Sequence, residues 1–199
     1  MLEIEGFILT GGASSRMGTE KALLDLNGRR FIERIAGELA QAVRSVSTIG
    51  ARQKIGRLPN VPDVYTQWGA LGGLHAALGA CRAEWAAVVA CDLPFVTGEL
   101  FVRLASFTGE NFDAVIPVQT DGRVQPLCAL YRRAACLPVA QALIESGERR
   151  PRALLVGVRT RRITTDELAD LHNAQLFFMN VNTPEDYEQA RKAVTGDKR

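Results

Sequence analysis

Apolar, β-rich runs alternate with segments of helical period through the first half of the chain. That order fits a largely parallel sheet covered by helices on both faces. Gly6 to Thr10 reads as the first strand, and Phe31, Ile32, Ile35, Leu39 and Val43 then recur at the spacing of one apolar helix face. Strands are expected over 46–50 and 61–65, with a glycine-started helix over 69–81. The wholly apolar run over 85–91 reads as a central buried strand. In the second half a helix over 98–107 precedes a strand over 113–118. The polar turn Thr120-Asp121-Gly122 then leads into a strand over 127–131, a hairpin that mixes antiparallel pairing into the sheet.

Helices are expected over 134–145 and 152–156, a strand over 176–180, and a last helix from Pro184. Thr183 is placed to cap that helix, with Glu185 and Asp186 at its positive end. Without repeats or linkers, the chain reads as one α/β domain over 1–194 with a short flexible tail over 195–199. The architecture expected is a Rossmann-like three-layer sandwich around a mixed, mostly parallel sheet. With 199 residues, 47% of them hydrophobic, a sizeable core can be buried.

A net charge of +2 is too mild to point to nucleic acid. The acidic amino terminus and the lack of an apolar run of membrane-spanning length make the cytoplasm the expected compartment, with no membrane partner. Cys81, Cys91, Cys128 and Cys136 form no CxxC pair and no metal-binding rhythm with His75 and His172, so buried thiols are expected. Arg149, Arg150, Arg152, Arg159, Arg161 and Arg162 crowd one stretch. They read either as a solvated surface or as a surface for an anionic ligand or partner.

The chemistry is concentrated between Leu9 and Lys21, directly after the first strand. The Gly11-Gly12 pair lets the backbone bend tightly and aim several N–H groups at one point. Arg16 and Lys21 add a forked and a mobile cation beside it, and together these residues describe a polyphosphate cradle. Gly18-Thr19-Glu20 does not end a Walker A loop, and the GxGxxG dinucleotide fingerprint is absent. Asp92, in Cys91-Asp92-Leu93-Pro94, follows the central strand at the same sheet edge. A carboxylate there suits Mg²⁺ bound to phosphates, and it can also cap the next segment. Gly69, Gly72 and Gly73 serve either ligand approach at a helix start or close helix–sheet packing. Asp63 reads equally as a turn residue or a nucleotide contact.

Gly11-Gly12-x3-Arg16-Met17-Gly18-x2-Lys21 resembles the signature of the nucleotidyltransferase superfamily that includes the sugar-phosphate nucleotidylyltransferases. Gly69-x2-Gly72-Gly73-Leu74, Cys91 to Pro94, Gln125 to Tyr131, Gly147-Glu148-Arg149-Arg150 and Asn180 to Asp186 narrow the resemblance to molybdenum cofactor guanylyltransferases. The resemblance implies GTP and molybdopterin as substrates, Mg²⁺ as cofactor, and transfer of GMP to the molybdopterin phosphate with loss of pyrophosphate. It also implies molybdoenzymes or their chaperones as downstream partners of a monomer or weak oligomer. Leu9, Thr10, Gly11, Gly12, Lys21 and Asp63 match nucleotide-binding positions, Asp92 the Mg²⁺ ligand, and Asn180 and Asn182 residues on the pterin side. Arg16, Lys21 and Asp92 would carry the catalysis. Two departures stand out. Thr48-Ile49-Gly50-Ala51-Arg52 lacks an asparagine that many relatives use to hold the base, and Gly69-Ala70-Leu71 lacks a proline. A CTP-dependent cytidylyl sister and a non-catalytic nucleotide-binding regulator are the alternatives.

Overall fold

The structure is a computed structural model that describes residues 3–10, 21–66, 68–109 and 111–196. The chain begins with β1 (Ile4–Leu9) and a small hairpin of β2 (Asp25–Leu26) and β3 (Arg29–Arg30). It continues through α1 (Phe31–Leu39), β4 (Val46–Ile49), β5 (Asn60–Val61), α2 (Gly69–Ala80), β6 (Trp85–Ala90) and α3 (Gly98–Ser106). Next come β7 (Ala114–Pro117), β8 (Cys128–Arg132), α4 (Arg133–Glu145), β9 (Thr160–Ile163) and α5 (Pro184–Gly196).

Seven strands form one sheet in the order β5-β4-β1-β6-β8-β7-β9. All its pairings are parallel except the two made by β8. The hairpin expected from Thr120-Asp121-Gly122 is therefore present, and it introduces the single reversed strand. Six strands consequently end at the same edge, where β8 begins.

Alternation along the central strands divides the interior into two layers. Ile4 and Ile8 of β1, with Trp85, Ala87 and Val89 of β6, pack under α1 and α3. Phe7 and Leu9, with Ala86 and Val88, pack under α2 and α4. β1 and β6 have a helix layer above and below, which is why β6 reads as an unbroken apolar run and β1 is apolar apart from Glu5. A third, smaller cluster of Leu26, Phe31, Phe95, Val181 and Ala190 seats α5 against the β2–β3 hairpin. The expected cap of α5 is made: Thr183 Oγ1 accepts from the Asp186 amide, and Asp186 Oδ2 accepts from the amides of Asn182 and Thr183.

Three expectations are corrected. The apolar segment 176–180 is not a strand. A left-handed Asn173 (φ 58°) starts the 3-10 helix Ala174–Leu176, and Phe177 is buried in the core from that turn. The helix expected over 152–156 is the 3-10 helix Pro151–Val156, closed by Gly157. The strand expected over 61–65 is only Asn60–Val61. Conversely, β9 runs through the arginine stretch itself and pairs in parallel with β7.

Candidate active site

The β-carboxyl edge is held together by backbone bonds before any side chain acts. Thr10 is fixed to the end of β4, its N–H and its Oγ1 both donating to the Ile49 carbonyl at 3.1 and 2.8 Å. The Leu9 carbonyl accepts from the Cys91 amide (3.1 Å), which ties the end of β1 to the turn after β6. The Asp92 carbonyl in turn accepts from the Val181 amide (2.9 Å), bringing the Asn180–Asn182 segment to the same place. Residues far apart in sequence are thus connected through three strand ends. Of the phosphate loop, Gly11, Gly12 and Arg16 lie outside the described residues, as does the Lys21 side chain. The Lys21 backbone opens the 3-10 helix Lys21–Leu23.

Asp92 is half-buried and lines a cleft of about 620 Å³. Gln125, Arg123, Arg150, Arg152 and Asn180 share its walls. The sequence motifs therefore converge: Asp92 and Asn180, named from the sequence, are joined by residues of the β7–β8 connection and by part of the arginine stretch. Asn182 is not among the described residues that line this cleft, and its amide serves the α5 cap instead. Gln125 and Arg123 were not identified as site residues from the sequence. They reach the cleft only because the hairpin folds back over the β6 end, where the Ala90 amide donates to the Leu127 carbonyl.

The cationic wall has internal order. Glu148 accepts from Arg150 Nε and Nη2 and from the amides of Arg149 and Arg150. These contacts, led by the Arg150 guanidinium, pull its carboxyl down to about 2, so it stays ionised and anchors Arg150. Arg149 lies 5.0 Å above the Trp68 ring, fastening this segment to the start of α2. Arg123 pairs with Asp121, whereas Arg152 has no ion pair among the described residues. The rest of the stretch lies at or on β9: Arg159, just before it, binds Asp113, and Arg161 binds Glu167 over the Phe107 ring. The arginines thus divide between two places, and only Arg150 and Arg152 face the cleft.

On the opposite side of β1, Asp63 follows β5. Its Oδ1 accepts from the Tyr65 amide (2.9 Å). The first of the paired glycines of α2 explains the packing here. A Cβ on Gly72 would stand 2.6 Å from the Tyr65 carbonyl oxygen and 3.0 Å from the Trp68 Cβ, whereas one on Gly73 would only come into ordinary contact with Leu9. Close packing is therefore the role the structure gives Gly72, which lets Tyr65 and Trp68 approach α2.

Among the described residues, no group of three or more His, Cys, Asp or Glu side chains could hold a metal ion. One carboxylate beside cations is nevertheless the donor set that suits Mg²⁺ carried on phosphates, since that ion keeps water and phosphate oxygens as its other ligands. No described helix is long and apolar enough to cross a membrane.

Residues 6–163 match the family model described as the MobA-like NTP transferase domain. The chain is 34% identical over 194 residues to the probable molybdenum cofactor guanylyltransferase of Pelotomaculum thermopropionicum, covering 96% of this chain and 93% of that one. It is also 34% identical over 200 residues to the protein of the same name from Bacillus cereus (strain Q1), covering 96% and 98%. The crystal structure of molybdopterin-guanine dinucleotide biosynthesis protein A from Archaeoglobus fulgidus superposes with a TM-score of 0.81 at 24% identity, covering 96% and 99%. The 2-C-methyl-D-erythritol 4-phosphate cytidylyltransferase of Thermus thermophilus superposes with a TM-score of 0.69 at 18% identity, covering 98% and 100%. The fold alone therefore accommodates more than one nucleotide, whereas the sequence match is specific: the chain belongs to the MobA-like NTP transferase family.

Proposed function

We propose that this chain transfers GMP from GTP to the phosphate of molybdopterin and releases pyrophosphate. The observation that carries the reading is the convergence of Asp92, Asn180, Arg150 and Arg152 on one cleft beside the end of β6. Relatives similar over nearly the whole chain bear the guanylyltransferase name.

In this reading the acceptor phosphate enters from the β8 side, where Arg150 and Arg152 neutralise it. It attacks the α-phosphorus of GTP in line, and pyrophosphate leaves toward Arg16 and Lys21. The nucleophile is already an anion, so the chemistry requires positioning and charge neutralisation rather than a strong base. Asp92 would hold Mg²⁺, which when bound neutralises phosphate oxygens. Asp63 would accept from the guanine N1–H and N2–H₂ donors, a pair that cytosine does not present. We further place the reaction in the cytoplasm, in a monomer or weak oligomer.

The test is incubation of the purified protein with Mg²⁺, molybdopterin and either GTP or CTP, following pyrophosphate and the dinucleotide. The expected result is guanine dinucleotide from GTP with little product from CTP. Preferred turnover of CTP would make this the cytidylyl sister, and nucleotide binding without any pyrophosphate would make it a regulator.

A further inference from the structure

The acceptor cleft lies on the β6–β8 side of Asp92. A nucleotide whose phosphates reach both the loop after β1 and Asp92 therefore sends its base the other way, over the ends of β4 and β5. There the chain turns at Gly50, with φ at +70°, and Ala51. One exposed side chain holds that turn. Asn60 Oδ1 accepts from the Ala51 amide (3.0 Å) and from Thr48 Oγ1 (3.1 Å), while Asn60 Nδ2 donates to the Ala51 carbonyl (3.1 Å). The Gly50 amide donates to the Val61 carbonyl (2.9 Å).

Two consequences follow. First, an exposed asparagine on a two-residue edge strand buries little surface, water can solvate the Ala51 groups, and the buried Thr48 hydroxyl keeps the Pro59 carbonyl as an acceptor (3.2 Å), so these bonds add little to global stability. Their main effect is to fix the turn. Second, both polar backbone groups of Ala51 are closed on the Asn60 amide and withheld from any base. The Asp63 carboxylate, just beyond β5, then meets a base at this edge without competition from the Ala51 carbonyl.

We propose that Asn60 is the positioning residue for base selectivity, fixing the Gly50–Ala51 turn so that the Ala51 backbone groups do not compete with Asp63 for the base edge. The inference rests on the guanylyl-transfer reading.

The experiment compares wild type, Asn60→Ala and Asn60→Asp by calorimetric binding of GTP and CTP with Mg²⁺, together with thermal unfolding. The aspartate variant keeps the acceptor and sets a second acceptor against the Ala51 carbonyl. The expected result is a GTP-over-CTP preference reduced roughly tenfold in both variants, with a nearly unchanged unfolding midpoint. An unchanged preference in both variants overturns the inference and leaves the guanylyl reading standing. A wild type without GTP preference overturns that reading and the inference with it. Amide exchange on wild type gives a check that needs no variant. The Ala51 amide should be protected without nucleotide, and exchange as fast as in an open loop would overturn the assignment.

Discussion

Asp92 contributes two groups with separate tasks. Its carbonyl oxygen accepts from the Val181 amide and so assembles the site, while its carboxylate is the proposed anchor for Mg²⁺. Asp92→Asn leaves the backbone bond in place and removes the charge. Turnover should fall by about 100-fold or more, the scale on which preorganised charge acts in such sites, with little change in thermal midpoint. Single-turnover rates together with thermal unfolding check this, and near-normal turnover would remove Asp92 from the chemistry. Lys21→Ala should behave similarly. A second residue-scale prediction concerns Asp113, whose carboxyl is held below its ordinary range chiefly by hydrogen bonds from the Arg159 guanidinium. A lowered carboxyl value stabilises the fold above the unfolded value of about 3.9, and that contribution disappears as pH falls through the folded value. Asp113→Asn should therefore lower the unfolding midpoint at neutral pH, and the gap from wild type should close in acid. A gap that does not change with pH would place the effect elsewhere. The individual site residues divide by legibility on a simple principle. Asp92 could be identified because a carboxylate immediately after a buried strand is a local signal. Arg123 and Gln125 could not, because they reach the cleft through a fold-back between distant strands.

At the scale of elements, the wall of the cleft depends on one tyrosine. Tyr131 is fully buried in β8, and its hydroxyl donates to the Pro126 carbonyl at 2.6 Å, fixing the Gln125–Leu127 approach to the strand. Tyr131→Phe keeps the ring but leaves that carbonyl without its donor, a loss of about 1–3 kcal/mol. Denaturant unfolding should register it. Kinetics should show a raised KM for the acceptor with GTP binding largely retained; equal losses for both substrates would deny the segment a specific role. The same scale shows what periodicity can and cannot reveal. β1, β6 and α1 were legible because burial imposes an apolar run or one apolar helix face. β9 was not: Thr160-Arg161-Arg162-Ile163 is an edge strand in which Arg161 pairs with Glu167 and Arg162 faces solvent, so its composition reads as surface. The segment 176–180 misled for the opposite reason. Phe177 is apolar because it fills the core, and an apolar run alone does not distinguish a buried turn from a strand.

The bulk of the core is two apolar layers pressed on one sheet, and the cysteines sample both. Cys91 and Cys128 belong to the layer under α1 and α3, Cys81 and Cys136 to the layer under α2 and α4. All four are buried thiols outside any disulfide, as their sequence settings suggested. Burial pushes the Cys81 thiol up to about 11 and those of Cys128 and Cys136 up to about 12, so very little thiolate exists near neutral pH. Modification by a disulfide reagent then requires opening of the layer concerned. Because β1 and β6 supply residues to both layers, neither can open far without the strands that support the other. The four thiols should consequently react in one slow phase, accelerated by denaturant in parallel with global unfolding and slowed when GTP and Mg²⁺ stabilise the folded state. Stopped-flow thiol titration measures this directly. Two phases of two thiols each would mean that the helix layers open independently, and the chain would then have two folding units on a shared sheet rather than one cooperative domain.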